Sequence, residues 1–359
     1  MKKYLLLLTF LSVIGNAQIV RKYSNEFLNI GAGARGLAMG GAVISNQNDV
    51  YAPMWNPAGL TEVESDWQGA AMHAEYFESI AKYDYISFTK ALDSKDGVLG
   101  ISIVRLGVDN ILNTTQMIDS EGNIDYDKIS KFSTSDYAGI ISYAFRPGGN
   151  QKLSVGINAK IVYRNIGKFA NGFGFGFDAG AIYRADSGYQ FGAMLRDATT
   201  TVNFWSINQK ELSAVVNGEE FNPAPKDKME ITMPKLNLGV SKNFEINRDL
   251  ELLPEAVLNV DFAKTAAVIS TDFASISPYL GAELSFQKMI FVRAGLNRFQ
   301  TVTDIEDLKR KVSMQPSAGI GIKYKGLTLD YAITNTGIGG NNYFSNFFSL
   351  KLDMRDFRY

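Results

Sequence analysis

From residue 66 onward the chain alternates. Leu153, Val155, Ile157, Ala159, Ile161 and Tyr163 occupy one side of a period-two pattern, with Ser154, Gly156, Asn158, Lys160, Val162 and Arg164 on the other. Phe173, Phe175, Phe177, Ala179, Ala181 and Tyr183 alternate likewise with Gly174, Gly176, Asp178, Gly180, Ile182 and Arg184. Phe348, Leu350, Leu352 and Met354 alternate with Ser349, Lys351, Asp353 and Arg355. Successive side chains of a strand point to opposite faces, so these are strands with one apolar face and one polar or small face. Strand and turn signals place fourteen of them near residues 66–75, 83–91, 97–106, 135–146, 152–166, 173–184, 188–197, 230–244, 250–263, 274–286, 289–298, 315–324, 327–334 and 343–355. Most reach the roughly 9–11 residues that a tilted strand needs to cross a bilayer. An even number is what a closed bacterial barrel requires. A soluble sandwich also alternates, but it rarely needs so many long strands with Phe and Leu on one face and charges on the other.

The connections repeat the pattern on a larger scale. Tight turns are expected at 93–96, 147–150, 185–187, 245–249, 287–288 and 325–326, and longer loops at 107–134, 198–229 and 299–314. Short periplasmic turns and long external loops mark an outer-membrane barrel. Both chain ends then face the periplasm. The aromatic-rich end, with Phe347, Phe348, Phe357 and Tyr359, resembles the C-terminal signal of proteins folded by the outer-membrane assembly machinery. The expectation is an all-β, transmembrane, 14-stranded antiparallel barrel, integral to a bacterial outer membrane and in contact with its lipid.

The N-terminus adds an export signal. Lys2 and Lys3 precede an apolar run from Tyr4 to Ile14 and a small-residue site at Gly15-Asn16-Ala17, a pattern of a signal peptide over 1–17. Residues 18–62 then form a segment ahead of the barrel, which takes 63–359. Cys is absent, so the chain offers no thiolate for catalysis, metal binding or a disulfide. Gly 33, Tyr 17 and Phe 23 against Pro 9 suit many strands better than disorder, and a net charge of -1 makes no case for nucleic acid.

The chemistry on offer is sparse. Gly31, Gly33 and Gly36 spell G-x-G-x-x-G, but no βαβ unit surrounds them. Close packing of Gly and Ala inside a barrel mouth is the alternative. His73 is the one histidine, without a second ligand, and is read as structural or incidental. No two carboxylates stand out as an acid–base pair and no serine sits in a nucleophile elbow. The run Asp119–Asp125 lacks the spacing and terminal Glu of a calcium loop and is read as a solvated turn. No enzyme activity, cofactor or metal is expected. Lys160, Arg164, Asp178, Arg184, Lys323, Asp330, Lys351, Asp353 and Arg355 fall on the inward phase. They weigh against a continuous greasy channel, though not against a local apolar pocket near Phe27, Leu28, Ile30, Met39 and Trp55.

The stretch from Phe27 to Arg35 (F-L-N-I-G-A-G-A-R), Met39-Gly40-Gly41-Ala42 and Trp55-Asn56-Pro57-Ala58-Gly59-Leu60 resembles the entry segment of the PorV/PorQ family. These are outer-membrane proteins of Bacteroidota, relatives of the fatty-acid transporter FadL. The match is to the general PorV-like branch more than to either founding member. It implies a FadL-like barrel with a short N-terminal plug, built on Phe27, Gly31, Arg35, Met39, Gly40, Trp55, Asn56, Pro57, Ala58, Gly59 and Leu60. Asn56 and Pro57 would make a turn, and Arg35 would anchor the plug to lumen carboxylates. It further implies a role in type IX secretion. The partners would be the translocon, the attachment complex, or the C-terminal signal domains of cargo. Contacts would come from loops 107–134 and 198–229, with Phe204 and Trp205 as candidates. The rival expectation is a FadL-like channel for hydrophobic small molecules, favoured by the shared plug and disfavoured by the polar lumen.

Overall fold

The computed structural model describes residues 24–92, 97–216, 218–223, 225, 228–303, 309–336 and 343–354. The leader 1–17, the turn 93–96, Arg355, Phe357 and Tyr359 lie outside the described residues. In chain order the strands are β1 (Trp67–Tyr76), β2 (Ala81–Ala91), β3 (Val98–Asn113), β4 (Ser130–Phe145), β5 (Leu153–Ile166), β6 (Ala170–Arg184) and β7 (Tyr189–Arg196 and Thr201–Ile207). They continue as β8 (Met229–Thr232, Lys235–Lys242 and Phe244–Glu245), β9 (Leu250–Asp261), β10 (Ser275–Phe286), β11 (Ile290–Thr303), β12 (Arg310–Tyr324), β13 (Leu327–Asn335) and β14 (Phe344–Asp353). Each pairs antiparallel with the next. β1 also pairs with β14, from Gln68↔Asp353 to Glu75↔Asn346. The sheet closes on itself as a fourteen-strand barrel and leaves no free edge.

The two faces divide as the alternation requires. Phe173, Phe175 and Phe177 on β6 and Ile320 and Ile322 on β12 point outward and are about half exposed. In water such a surface would aggregate; around a closed barrel it is the band that meets lipid. No helix among the described residues is long and apolar enough to cross a membrane, so the crossing elements are the strands. Inward positions are small, polar or aromatic, and Tyr83, Tyr85 and Phe347 are wholly buried there.

The strands run further than the sequence suggests, always at the long-loop end. β3 and β4 stay paired to Asn113↔Ser130, β7 reaches Ile207, and β11 and β12 remain paired to Thr303↔Arg310. Loops expected over 107–134, 198–229 and 299–314 are correspondingly shorter. Above the bilayer both faces of a hairpin are wet, so the period-two signal that marks a crossing strand vanishes although the ladder continues.

One stretch of wall is irregular. β7 breaks at residues 197–200, where Asp197 (φ 51°) and Thr200 (φ 65°) are left-handed. Beside it β8 breaks at Met233 and Pro234, and Pro234 has no N–H to give the ladder. Lys160 sits at the bulge, buried, with Nζ 2.6 Å from Asp178 Oδ1 and 2.6 Å from Asp197 Oδ1. Inside the barrel runs the N-terminal segment, as two short helices (Ala34–Ala38 and Ala52–Trp55) and two 3-10 turns (Glu26–Asn29 and Pro57–Glu62).

Candidate functional site

The inner segment is built around two rings. Trp55 is buried and donates from Nε1 to the Ala32 carbonyl at 2.7 Å. A Cβ added at Gly31 or Gly36 would strike its indole, and one at Gly33 would strike the Tyr51 ring. Gly31 (φ 88°) also needs the left-handed backbone that glycine adopts without strain. The three glycines of the G-x-G-x-x-G run are therefore packed flat against aromatic faces.

The wall is shaped to receive this segment. Inward positions Gly156, Gly180, Gly192 and Gly295 leave gaps that segment atoms fill: Pro57 and Ala58, Asn56, Ile44, and Met39 with Gly40 respectively. Asn56 is fully buried. Its Nδ2 donates to the Ile44 carbonyl at 2.8 Å and to the Ala181 carbonyl of β6 at 3.1 Å. Its Oδ1 accepts from the Ala58 N–H at 3.2 Å, which caps the turn that Pro57 begins. Leu60 packs beside Gly100 with Val98 and Ala144.

Charge fixes the other side. Arg35 Nε lies 2.9 Å from Glu283 of β10, and Arg293 of β11 links Glu283 (2.6 Å) to Asp330 of β13 (2.7 Å). Asp49 meets Lys351 of β14 at 3.0 Å. Glu62 meets Arg146 at 2.7 Å and Arg184 at 2.5 Å. Burial works to raise the Asp49 carboxyl, but Lys351, Arg35 and the Tyr51 N–H outweigh it and hold it below the ordinary carboxylate value. Burial pushes the Tyr51 phenol well above its usual value, and Asp49 adds to that. Glu255 of β9 accepts from the Ser45 N–H at 2.7 Å and from the Asn46 amide.

Above the segment, at the long-loop end, lies a cavity of about 770 Å³. Phe27, Ile30, Leu37, Trp55, Tyr76 and Phe347 supply its apolar wall. Arg196, Lys235 and Arg298 bring cations to it, and Lys235 is paired with Glu26 and Asp261. Arg196 also donates to the Met54 carbonyl at 2.5 Å. Beneath the cavity the segment and its ion pairs fill the lumen. The site can therefore admit an apolar body from the outside and present it with a few fixed donors.

The residues singled out in the sequence fall into three groups. Phe27 and Trp55 line the cavity floor. Gly31, Arg35, Met39, Gly40, Asn56, Pro57, Ala58, Gly59 and Leu60 lie below, against the wall, against Trp55 or, for Gly59, against the Gln47 backbone. Phe204 and Trp205 belong to β7 and not to a loop, and they point apart. Phe204 is exposed on the outer face; Trp205 turns inward, with the Arg164 guanidinium 5.2 Å from its ring centroid and Arg164 paired to Asp136 at 3.0 Å. They form no single patch. Asp119 Oδ1 accepts from the Glu121 and Asn123 N–H groups, closing a small turn of the β3–β4 hairpin. Glu62, Glu255, Glu283 and Arg293 escaped the sequence reading, although each of the three on strands stands on the inward phase.

No protein-family model matches the chain, and no curated protein matches it. Solved structures do. The CymD monoaromatic hydrocarbon channel superposes with a TM-score of 0.59 at 13% identity, over 90% of this chain and 98% of that one. The Ralstonia pickettii toluene transporter TbuX gives 0.56 at 13% identity, with the same shares of 90% and 98%. A Pseudomonas aeruginosa FadL homologue gives 0.53 at 11% identity, again over 90% and 98%. At such identities the likeness is one of fold. The chain is an integral outer-membrane barrel of fourteen strands with the FadL-like fold.

Proposed function

We propose that the barrel receives hydrophobic small molecules in its mouth cavity and acts as a FadL-like channel for them, with no catalytic step. The observation that carries this reading is the cavity itself: about 770 Å³ above the inner segment, its apolar wall interrupted by Arg196, Lys235 and Arg298. The barrel's likeness in fold to the monoaromatic hydrocarbon channel CymD and the toluene transporter TbuX supports it. Passage then requires residues 27–60, acting as a plug, to shift, because they occupy the lumen below. Trp55 lines the cavity and provides a probe. Adding toluene or a medium-chain alkane to the detergent-solubilised barrel is expected to change its tryptophan emission saturably. Ile30→Trp, which fills the cavity, is expected to abolish ligand protection against thermal unfolding while the barrel still forms. Equal protection in Ile30→Trp would overturn the assignment.

A second reading keeps the type IX secretion role that the entry segment implies, as a PorV-like accessory protein. The closed floor supports it: Arg35–Glu283–Arg293–Asp330 and Arg146–Glu62–Arg184 tie segment to wall, an arrangement suited to docking more than to flow. Its partners would be translocon or attachment-complex proteins and cargo C-terminal signal domains. Pull-down from native membranes distinguishes the two. Secretion components or a signal domain support docking; their absence, with a small hydrophobic molecule bound, supports the channel.

A further inference from the structure

The outer wall carries a groove that neither reading uses. On β1 the outward positions above Trp67 are Gly69, Ala71 and His73, followed by Glu75 opposite Lys82 of β2. The register neighbours of the first three on β2 include Phe88 and Ile86, and those on β14 are Leu352, Leu350 and Phe348. Small residues between large ones cut a groove of about 850 Å³, lined by Ala71, Ile86, Ile320, Leu329, Phe348 and Leu350. Its upper end is polar. His73 Nδ1 lies 2.7 Å from Asp84 Oδ1, Arg105 Nη1 donates to Asp84 Oδ2 at 3.1 Å, and Arg105 Nε reaches the Tyr137 hydroxyl at 3.4 Å. All four side chains are on the outward phase of β1 to β4, and each is partly exposed.

The height of this cluster makes it informative. A strand rises about 3.3 Å per residue and tilts about 40°, which sets His73 roughly 15 Å above Trp67 along the barrel axis. The lipid-facing band of such barrels is about 25 Å tall. The imidazole and its carboxylate thus face the region of lipid chains, where ionisable groups persist only with polar company. The β1–β2 turn, residues 77–80, is short and leaves no loop over this end.

We infer that the groove holds one acyl chain of a diacyl glycerophospholipid, with the lipid phosphate drawn down to Arg105. The groove is continuous with the lipid-facing band, so hydrocarbon is the medium already against it. Asp84 takes one edge of the Arg105 guanidinium and orients the His73 ring. The guanidinium keeps further donors for phosphate oxygens, with which arginine pairs well. Tyr137 and its cross-strand neighbour Tyr163, ring centroids 6.5 Å apart, extend the line across β4 and β5.

Native mass spectrometry of the delipidated barrel, titrated with phosphatidylethanolamine, tests this without reference to the mouth cavity. The wild type is expected to retain one lipid through collisional activation. Ala71→Phe, which fills the groove from the lipid side and leaves the core untouched, is expected to weaken retention at least tenfold with heat-modifiable mobility unchanged. Arg105→Leu is expected to erase the preference for phosphatidylethanolamine over diacylglycerol. Equal retention by Ala71→Phe would overturn the proposal. So would a dimer mass, or a bound protein, that Ala71→Phe removes, since either would show the groove to be a protein interface.

Discussion

The two halves of the inner segment are held by different physics. Residues 31–46 lie mainly against β7 to β14 and hold the carboxyl contacts, Arg35 on Glu283 and Ser45 and Asn46 on Glu255, beside neutral bonds such as Asn297 to the Gly40 carbonyl. Residues 50–61 lie against β1 to β7 and are held mostly by neutral groups, with Arg196 on the Met54 carbonyl and Arg146 on the Thr61 carbonyl as charged donors. Val50 N–H donates to Gln68 at 3.0 Å, Asn158 donates to the Pro53 carbonyl at 2.8 Å, and Asn56 donates to the Ala181 carbonyl. Asp49 and Lys351 mark the junction. A neutral anchor depends on fit alone, whereas an ionic one also depends on the protonation of its partners. The segment is thus clamped rigidly on one side and titratably on the other.

The sharpest way to break both clamps together is Trp55→Ala. Trp55 sits under Gly31 and Gly36 of the first half while belonging to the second, so its loss is expected to cost about 3–5 kcal/mol. The readout is the urea midpoint of the folded form on semi-native gels, with new protease cleavage inside 27–60. Arg35→Met strikes only the ionic half. Glu283 keeps Arg293, so the expected cost stays at the lower end for a broken buried pair, about 3 kcal/mol, and the mutant's midpoint should lose part of its dependence on salt. Asn56→Ala strikes only the neutral half. It leaves the Ile44 and Ala181 carbonyls short of a donor, at about 1–3 kcal/mol, with salt dependence unchanged. Equal salt responses in these two variants would erase the contrast between the halves.

The smallest effect concerns acid. Asp49 is held below the ordinary carboxylate value in the folded barrel. Its contribution is therefore complete above the unfolded value of about 4 and is lost as pH falls through its lower folded value. Asp49→Asn is expected to flatten stability against pH below about 4 and to leave the slope above it unchanged.

What the sequence made legible follows from what the bilayer enforces. Every crossing strand was visible because lipid on one side and lumen on the other impose alternation, as in 153–164 and 173–184. The extensions of β3, β4 and β7 were not, because water on both sides imposes nothing. That is why Phe204 and Trp205 read as loop residues. The segment itself could be recognised from its Gly run and Asn-Pro turn, whose backbone demands are local. Its partners could not: Glu283 and Glu255 acquire meaning only once Arg35 and Ser45 are brought beside them, and no pattern along the chain encodes that meeting. His73 showed no second ligand in sequence because Asp84 and Arg105 join it only through the register of β1, β2 and β3.

The closing seam encloses the segment. The segment leads through residues 63–66 straight into β1, and β1 is the strand whose pairing with β14 completes the ring. The last strand made is thus zipped onto the first, next to the segment's own exit. Once that seam forms, the segment is enclosed by covalent chain and ladder together, and loosening its contacts cannot free it as it could free a separate ligand. Only opening the seam, or threading the chain's start out through one mouth, would release it. Wall glycines such as Gly156 and Gly295 keep room for it along the inner face of the closed sheet.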